Sequence, residues 1–523
     1  MSTILSQGNF ILRSYDRIGR FVVRAAILAV IFVLTIRGAE YLAYAVRAVR
    51  FPFELEYAEG LVWQQALWML SPRMYGDITR FPFIVFQYTP VYYLAIRAIA
   101  ALGVDPLAVG RGITLTAAIA TAVLAGTIAA AAVREIVPIS ARVVGAVISG
   151  LMVFTYHPVQ EWAVFMRVDM LAIAFNIAGV YLFIIGEQNI VVLCGAILMF
   201  VLAVYTKQTE ITGPIAAVLV ALVIDVRSTL WAVAFGLLVG GSAFAILELT
   251  TDGRFWHHIV DYNIYDQFAW RHVLDVGLAE KTAVPGVLLG LAAFAFLWCT
   301  EASPLLAGTI ASRIDALRRS RKLRALAIIS VWFGLASVQL ISLGKRGAWS
   351  NYFIEWMCIT TVPVGMVASL AWDRTTAAEK TAPVRGLAGL VLSLVLAIIA
   401  LYRPLFESPL VGDPKAIALR AHLVNLIRQN PKPSLSEDMV LLVRAGQEIP
   451  IEPAEFAGLT RAGVWDQRPF LNLIEQHAFG LIIMNDYQIG RFTRKVMTAI
   501  QENYPLKDHV GNYIIRRPRG QVD

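Results

Sequence analysis

Charged residues are scarce in this chain of 523 residues, and their scarcity argues against an ordinary soluble protein. Asp, Glu, Lys and Arg together make up 16% of the sequence, whereas hydrophobic residues make up 58%. A soluble globular chain has about a quarter of its residues charged and about half apolar. Apolar runs of about twenty residues, the length that spans a bilayer as a helix, recur along most of the chain. We therefore expect a polytopic α-helical membrane protein.

Cysteines are also few, and the motifs of several enzyme classes are missing. The only cysteines, Cys194, Cys299 and Cys358, lie inside or at the end of apolar runs. We therefore expect neither a disulfide framework nor a Cys-x-x-Cys metal site. The sequence has no Walker loop, no HExxH, no GxSxG, and no GxGxxG between a strand and a helix. It gives no sign of nucleotide binding by a known motif.

The formal net charge of +8 does not indicate a nucleic-acid partner, because the basic residues bunch at the ends of the apolar runs. Such bunching orients a membrane protein, with its basic loops in the cytoplasm. The loop 311–324 carries five arginines and one lysine and is expected inside, as is the arginine-containing N-terminus. The first apolar run is too long for a signal peptide and lacks a small-residue cleavage site, so we expect it to remain as a span.

Eleven apolar runs are predicted to cross the membrane, with the N-terminus in the cytoplasm and the C-terminus outside. They lie at about 21–44, 107–133, 139–157, 166–186, 189–206, 211–226, 229–249, 283–299, 325–343, 353–372 and 386–403. A further run, 89–102, is short and carries Arg97, so we expect a helix that lies in the membrane interface. The predicted location is the inner (cytoplasmic) membrane of a bacterium.

The pattern divides the chain into a transmembrane domain, 1–403, and an extracytoplasmic domain, 404–523. The first domain includes a long first outer loop, 45–106. In the second, short apolar segments predict strands at Met439–Val443, Gly480–Met484 and Asn512–Ile515. Helical patterns separate these segments, so we expect a small α/β domain.

Three acidic residues, Glu54, Glu56 and Glu59, follow the first span. In a helix, Glu56 and Glu59 would share one face, since residues three apart are neighbours there. A carboxylate at the membrane surface can act as a general base toward a hydroxyl nucleophile. The alternative is a solvated acidic helix face, and Asp77 is a weaker fourth candidate.

Cations and carboxylates also meet at two later span ends on the outer side. Arg167 and Asp169 form either a structural ion pair or part of a site, with Arg167 on a phosphate and Asp169 on a sugar, an acceptor or a metal. Lys207 shares a very short loop with Gln208 and Glu210. A lysine there commonly reaches lipid headgroups, but this dense polar cluster is also suited to binding phosphate.

The outer loop 344–352 contains a fourth candidate set. Lys345 and Arg346 stand between two glycines, and Asn351 and Tyr352 follow shortly after. Two cations with aromatic and amide side chains nearby can wrap an anionic headgroup. The alternative is a belt of residues that anchors the chain at the membrane interface.

These segments, taken in order, resemble a known family. The first-loop acids precede the runs Tyr88-Thr89-Pro90-Val91-Tyr92-Tyr93, Arg167-Val168-Asp169-Met170 and Thr206-Lys207-Gln208-Thr209. The order resembles the GT-C superfamily of membrane glycosyltransferases and is similar to the protein O-mannosyltransferase and aminoarabinose transferase group. The resemblance covers most of the chain. It implies a polyprenyl-phosphate-linked sugar as donor and a glycan, lipid or protein as acceptor.

The resemblance also implies roles for individual residues. A first-loop carboxylate is the expected base; Ala58-Glu59 stands where relatives often have an Asp-Glu pair, and Glu59 is favoured over Glu56. The donor phosphate is expected to contact Lys207, Lys345, Arg346 and Arg167. The substrates are expected to contact Asp169, Tyr88, Gln208, Asn351 and Tyr352. Some relatives use a divalent metal, so a metal cofactor stays open for this chain.

We therefore predict a hexosyl- or pentosyltransferase that moves a sugar to an acceptor hydroxyl on the extracytoplasmic face. A lipid-carried donor fits the missing nucleotide motifs, because no nucleotide sugar is expected outside the cytoplasm. One carboxylate as base, with no second one placed as nucleophile, favours inversion. The alternatives are a polytopic transporter or lipid-carrier flippase, and a non-catalytic scaffold. Transporters usually show internal repeats, which this sequence lacks.

Overall fold

The computed structural model describes residues 2–186, 189–264, 268–345, 347–376, 383–486 and 490–519. The helices of the membrane part and its loops are α1 (Ser2–Val49), α2 (Glu59–Trp68), α3 (Val91–Ala100), α4 (Pro106–Ala132), α5 (Ile139–Val153), α6 (His157–Trp162), α7 (Asp169–Ile185), α8 (Ile190–Val204), α9 (Thr212–Ile224), α10 (Val226–Thr250), α11 (Arg254–Trp256), α12 (Tyr262–Ile264), α13 (Trp270–Ala279), α14 (Val284–Glu301), α15 (Ser303–Leu306), α16 (Ile310–Arg319), α17 (Arg321–Gln339), α18 (Ile354–Thr376) and α19 (Pro383–Tyr402).

The C-terminal part alternates helices with four short strands. Its elements are α20 (Pro414–Gln429), β1 (Ser434–Ser436), α21 (Met439–Arg444), α22 (Pro453–Arg461), α23 (Arg468–Glu475), β2 (Leu481–Asn485), α24 (Arg494–Asn503), β3 (Leu506–Val510) and β4 (Tyr513–Arg517).

Six helical segments of the described chain are long and apolar enough to cross a membrane: Ile18–Val49, Pro106–Ala132, Val226–Thr250, Lys281–Glu301, Arg321–Gly344 and Ser350–Thr375. The other five predicted spans correspond to shorter apolar helices, namely α5, α7, α8, α9 and α19. The chain is thus a multi-pass membrane protein, and the full count of eleven crossings stays a prediction. The predicted interfacial run forms α3, which has 10 residues. At about 15 Å, this helix is too short to span a hydrocarbon core of about 30 Å.

Helix α18 runs through the centre of the bundle and crosses α5 at two glycines. A Cβ on Gly145 would lie 2.2 Å from the carbonyl oxygen of Gly365, and one on Gly365 would lie 2.6 Å from that of Gly145. Small residues allow such close backbone approach between helices in a membrane. The crossing fixes α18 against its neighbours, and Asn351 and Glu355 lie at the N-terminal end of this helix.

The start of α4 is fixed by a helix cap. The Asp105 side chain accepts hydrogen bonds from the backbone N–H groups of Leu107 (2.9 Å) and Ala108 (3.3 Å), and Pro106 occupies the first helical position. Acidic caps and an initial proline are both typical of helix N-termini. This start places Arg111 in the second turn of α4, next to the first outer loop.

The four strands form one mixed sheet in the order β1-β2-β4-β3, with β1 parallel to β2 and the other pairs antiparallel. The strands predicted at Gly480–Met484 and Asn512–Ile515 are confirmed as β2 and β4. The strand predicted at Met439–Val443 is wrong, because this run forms α21. A short, continuously apolar run does not distinguish a buried strand from a buried helix, and these residues are buried in helical form.

The first outer loop packs directly on the C-terminal part. Gln64, on α2, exchanges hydrogen bonds with the backbone of Ile449: the amide donates to its carbonyl at 3.2 Å and accepts from its N–H at 2.6 Å. A Cβ on Gly60 would lie 2.5 Å from the carbonyl carbon of Met439, so only glycine lets α2 approach α21 this closely. The proposed boundary at residue 403 remains a prediction, but these contacts show that the C-terminal part helps to position the first loop.

Candidate active site

Four chain segments converge at the end of the bundle that is predicted to face outward, where the first loop meets the start of α7, the turn after α8 and the segment before α18. We call the side chains that meet there the outer cluster: Glu56, Arg167, Asp169, Lys207, Glu210, Asn351 and Tyr352. Six of them were predicted site residues, and Glu210 belonged to the Lys207 segment. Residues up to 296 positions apart in sequence, Glu56 and Tyr352, thereby belong to two bonded groups that are linked by the electrostatic interaction of Arg167 with Asp169.

The first half of the outer cluster is a two-pronged ion pair. Arg167 donates from Nε to Oε2 and from Nη2 to Oε1 of Glu56, both at 2.7 Å, and Nη2 also donates to the carbonyl of Tyr57 at 2.7 Å. This geometry holds both side chains in one orientation. Burial raises the pKa of Glu56 above its usual value, although Arg167 acts in the opposite direction. The Glu56 side chain keeps 20% of its surface exposed, so a substrate can reach it.

The second half joins Asp169 to two other segments. Oδ1 of Asp169 accepts from Nζ of Lys207 and from the amide of Asn351, each at 2.8 Å. Its Oδ2 is buried and has no hydrogen-bond partner among the described residues. The ammonium of Lys207 also lies 5.2 Å from the centre of the Tyr352 ring. A buried carboxylate oxygen without a partner is costly and points to a ligand that completes its bonding.

Glu210, Asn176 and Glu355 form a polar network next to Lys207. The nearest oxygen of Glu210 lies 3.7 Å from Lys207 Nζ, and Asn176 donates to both Glu210 (3.3 Å) and Glu355 (2.7 Å). Although burial lowers it, the carboxylates of Asp169 and Glu210 hold the pKa of Lys207 above its usual value. Burial and the Glu355 carboxylate raise the pKa of Glu210 to about 8. Lys207 therefore stays positively charged, while Glu210 binds a proton more readily than an exposed glutamate.

Glu59, the favoured base, is instead the centre of a structural ion pair. Its side chain is 0% exposed, and its Oε1 accepts from Nε of Arg111 and from the N–H of Met166, each at 2.8 Å. Its Oε2 accepts from Nη2 of Arg111 and, at 2.8 Å, from the N–H of Leu55. A carboxylate has about four acceptor positions; here two donors bond to Oε1 and three to Oε2, the third being the N–H of Glu56 at 3.3 Å. This complete set of donors argues against Glu59 as the base and favours Glu56.

Arg111 explains how the first loop is folded. Besides binding Glu59, its guanidinium donates to three backbone carbonyls, those of Ala48, Phe51 and Phe53. The sequence prediction missed Arg111. The signal was present, since a charged residue inside an apolar helix marks a structural or functional site by default. Its partner, Glu59, lies 52 residues earlier, and nothing local in the sequence indicates the pairing.

Two further predicted residues lie beside the outer cluster. Burial raises the pKa of Tyr88 to about 12, and its phenol lies within electrostatic range of Arg167, Asp169 and Lys207. The amide of Gln208 donates to the carbonyls of Gln87 (2.8 Å) and Ile259 (2.9 Å). Gln208 therefore joins outer segments to one another, and Tyr88 forms part of the surroundings of the cluster.

The remaining predicted residues lie elsewhere or are not described. Lys345 forms an isolated β-bridge with Phe268, and Arg346 lies outside the described residues. Asp77 accepts from the N–H and hydroxyl of Thr79 within its own turn and pairs with Arg80 at the surface. The described contacts therefore do not place these residues in the outer cluster.

Glu54 faces the C-terminal part instead of Arg167. It accepts from the N–H of Met439 at 3.1 Å, and burial together with the Asp438 carboxylate raises its pKa well above the usual value. Nearby, the Arg491 guanidinium lies 3.8 Å from the centre of the Tyr57 ring. The C-terminal part thus contacts the residues on both sides of Glu56, a contribution that the sequence did not predict.

The described residues do not provide a metal site. Among them, no group of three or more His, Cys, Asp or Glu side chains is arranged to hold a metal ion. The acids of the outer cluster are instead paired with Arg167 and Lys207.

Comparison with known proteins supports the fold. No protein-family model and no curated protein matches the chain. It is similar to the structure of ArnT from Cupriavidus metallidurans bound to undecaprenyl phosphate, at 12% identity and a TM-score of 0.54, over 93% of this chain and 98% of that one. The apo state of the same protein gives 12% identity and a TM-score of 0.53, over 91% and 97%.

A more distant similarity is to the apo oligosaccharyltransferase of Archaeoglobus fulgidus, at 11% identity and a TM-score of 0.48, over 88% of this chain and 70% of that one. At such low identities, structural similarity shows the fold alone. The chain therefore shares the fold of ArnT, which agrees with the predicted resemblance at the level of architecture.

Proposed function

We propose that this GT-C-fold protein is a glycosyltransferase that moves a sugar from a polyprenyl-phosphate donor to an acceptor hydroxyl. One observation carries the proposal. Two bonded groups that are remote in sequence, Glu56 with Arg167 and Asp169 with Lys207 and Asn351, lie at the same end of the bundle, and Arg167 and Asp169 are within electrostatic range of each other. The similarity to ArnT bound to undecaprenyl phosphate supports the choice of donor class. The acceptor is a glycan, a lipid or a protein.

Glu56 is the proposed general base. It takes the proton from the acceptor hydroxyl while the acceptor oxygen attacks the anomeric carbon, and the bond from that carbon to the phosphate oxygen breaks. Its partial exposure and raised pKa suit this role, because a general base works best when its pKa approaches the operating pH. With Glu56 as base and no carboxylate assigned as nucleophile, the configuration at the anomeric carbon is inverted.

Arg167 and Lys207 are the proposed phosphate ligands. Nε and Nη2 of Arg167 are used by Glu56 and Tyr57, so Nη1 is the atom proposed to face the leaving phosphate. Lys207 has three ammonium protons and a close bond to Asp169 alone, its contact with Glu210 being longer. Negative charge develops on the leaving phosphate oxygen as the bond to the sugar breaks. Fixed positive charge next to that oxygen lowers the activation barrier of the transfer, so the phosphate needs no general acid.

The donor sugar is proposed to bind next to Asp169. The unpartnered Oδ2 of this residue can accept a hydrogen bond from a sugar hydroxyl, while Lys207 and Asn351 fix Oδ1. Tyr88, Gln208 and Tyr352 remain proposed substrate contacts, and Lys345 and Arg346 remain proposed phosphate contacts. Inner-membrane localisation and an extracytoplasmic site are parts of the same proposal.

The experiment measures turnover of the donor by the purified protein in detergent. Because detergent leaves no sealed compartment, any signal comes from sugar transfer and not from transport. Polyprenyl-phosphate donors with a radiolabelled hexose or pentose are incubated with membrane extract as the acceptor source. We expect the label to move into the acceptor fraction and free polyprenyl phosphate to form at the same rate. Failure of every donor to turn over, with the protein folded, would contradict the proposed function.

A further inference from the structure

The opposite end of the bundle holds a cavity of about 430 Å³ that the proposed reaction does not use. It is lined by Glu135, Phe183, Leu193, Ala221, Ile224, Asp225, Thr229, Arg318, Arg319, Arg324 and Ile328. None of these residues belongs to the outer cluster. Asp169 and Phe183 lie near the two ends of α7, so about 21 Å along the helix axis separates the levels of the two sites.

The cavity has two chemically different walls. One wall is apolar and consists of side chains at the ends of α7, α8 and α9 together with Ile328 of α17. The other wall carries three arginines, two of them from α16, with two carboxylates at the same level. Small-molecule sites commonly enclose about 300–1,000 Å³ and combine an apolar lining with a few polar groups, and this cavity fits that description.

The arginine wall is attached to the bundle by backbone contacts. Nε of Arg318 donates to the carbonyl of Ile224 at 2.9 Å, and Nη1 of Arg324 donates to the carbonyl of Arg318 at 2.7 Å. These bonds hold Arg318 and Arg324 at the cavity, while Arg319 pairs with Asp315 of the same helix at 2.8 Å through Nη2 and at 3.1 Å through Nε, so that Nη1 is the Arg319 atom proposed to reach a ligand. The two acids are engaged by backbone N–H groups: Asp225 caps the first turn of α10, and Glu135 accepts from Arg321.

The arginines lie in the loop 311–324, which the positive-inside rule places in the cytoplasm. The cavity is thus between membrane helices at the level of the cytoplasmic leaflet, where anionic lipids are concentrated. Basic pockets between helices on this side are suited to phosphate headgroups, with the acyl chains against the apolar wall. A free anion would use the arginines and leave the apolar wall exposed to water.

We infer that this cavity binds one anionic phospholipid of the cytoplasmic leaflet, with its phosphate on Arg318 and Arg319 and its acyl chains along Phe183 and Leu193. The planar guanidinium groups match a phosphate by paired hydrogen bonds. The site is separate from the proposed sugar transfer and does not depend on it.

The test is native mass spectrometry of the full chain released from nanodiscs that contain phosphatidylglycerol and phosphatidylcholine. We expect one retained phosphatidylglycerol per chain in the wild type and a loss of at least fivefold in the double variant Arg318→Gln/Arg319→Gln. The matched control is Arg313→Gln, which removes a charge from the same helix but not from the cavity lining. Equal lipid retention in the double variant and the wild type, or an equal loss in the control, would overturn the inference.

A second variant covers the case in which the double variant fails to fold. Ala221→Phe keeps all three arginines and fills the apolar side of the cavity, and it should also reduce lipid retention at least fivefold. Inorganic phosphate at about tenfold the lipid concentration should not displace the lipid. Displacement of the lipid by inorganic phosphate would show a site for free anions. Full lipid retention in Ala221→Phe would show that the cavity is not the lipid site. Either result overturns the inference.

Discussion

The two ends of the bundle use their cations differently. At the outer end, Arg167, Lys207 and Arg111 each bind a carboxylate, with atoms 2.5–2.8 Å apart. At the opposite end, Arg318 and Arg324 donate to main-chain carbonyls at 2.9 and 2.7 Å. Arg111 and Lys207 are buried and the Arg167 side chain is 11% exposed, whereas Arg318 and Arg319 are exposed and Arg319 pairs only with Asp315 of its own helix among the described ion pairs.

This difference separates two tasks. At the outer end, ion pairs hold the reacting groups in one geometry and keep the net charge of the site low. This arrangement suits a site where charge develops only during the reaction. Arg318 and Arg319 are exposed at the cavity rim, where a permanent anion can reach them without displacing a buried counter-ion. Four predictions test this contrast, beginning with the largest expected effect.

Glu56→Gln should lower the rate of sugar transfer about 10²–10⁴-fold, because the base is lost while the shape of the side chain is kept. The rate is measured with purified protein in detergent. Asp77→Asn is the matched control, since Asp77 is bonded within its own turn. Its rate should stay within about twofold of the wild type. Full activity of Glu56→Gln would end the assignment of this residue as base.

Glu59→Gln should unfold or strongly destabilise the protein, by about 3–5 kcal/mol, because Arg111 would be left buried without its counter-ion. The measurement is thermal unfolding in detergent, together with the yield of monodisperse protein. Glu56→Gln, measured alongside, should unfold close to the wild-type temperature. A Glu59→Gln protein that is stable but inactive would return the base role to Glu59.

Lys207→Gln should raise the KM for the donor by about tenfold or more, since a phosphate contact is worth about 1.5–3 kcal/mol when one partner is charged. The measurement is initial rate against donor concentration. Lipid retention at the inner cavity should be unchanged in this variant, which separates the two ends. An unaltered donor KM would remove Lys207 from the phosphate site.

Glu210→Gln should flatten the dependence of stability on pH between about 4.5 and 8, the usual and the folded-state pKa values of this carboxyl. Because the pKa of Glu210 is raised to about 8 in the folded state, folding keeps a proton that the unfolded chain releases at lower pH. Its stabilising contribution is therefore present at low pH and lost as pH rises through about 8. The unfolding temperature of the wild type should fall across this range, and that of Glu210→Gln should fall less. Parallel curves for the two proteins would refute the shifted titration.

The site residues that could be predicted from the sequence are those that stand out within a short stretch of the chain. Arg167, Asp169, Lys207, Asn351 and Tyr352 were singled out because polar residues interrupt apolar runs, and the structure brings them together. The positions of the apolar helices followed from the same contrast in composition. These features depend on short windows, which a single sequence contains in full.

Long-range pairing was not predictable in the same way. The choice of Glu59 over Glu56 depended on where Arg111 and Arg167 end up, and both partners lie more than fifty residues away. The run at Met439–Val443 became a helix because tertiary packing against α2 decides the state of a short apolar segment. The network of Asn176, Glu210 and Glu355 likewise joins three distant segments.

The most direct test of the account is a structure of the full chain with a polyprenyl phosphonate analogue of the donor. We predict that the phosphonate oxygens lie within about 4 Å of Lys207 Nζ and of the Arg167 guanidinium, the distance of an ion pair, with the sugar next to Asp169. A phosphonate found in the arginine-lined cavity at the opposite end, with the outer cluster unchanged, would contradict the account.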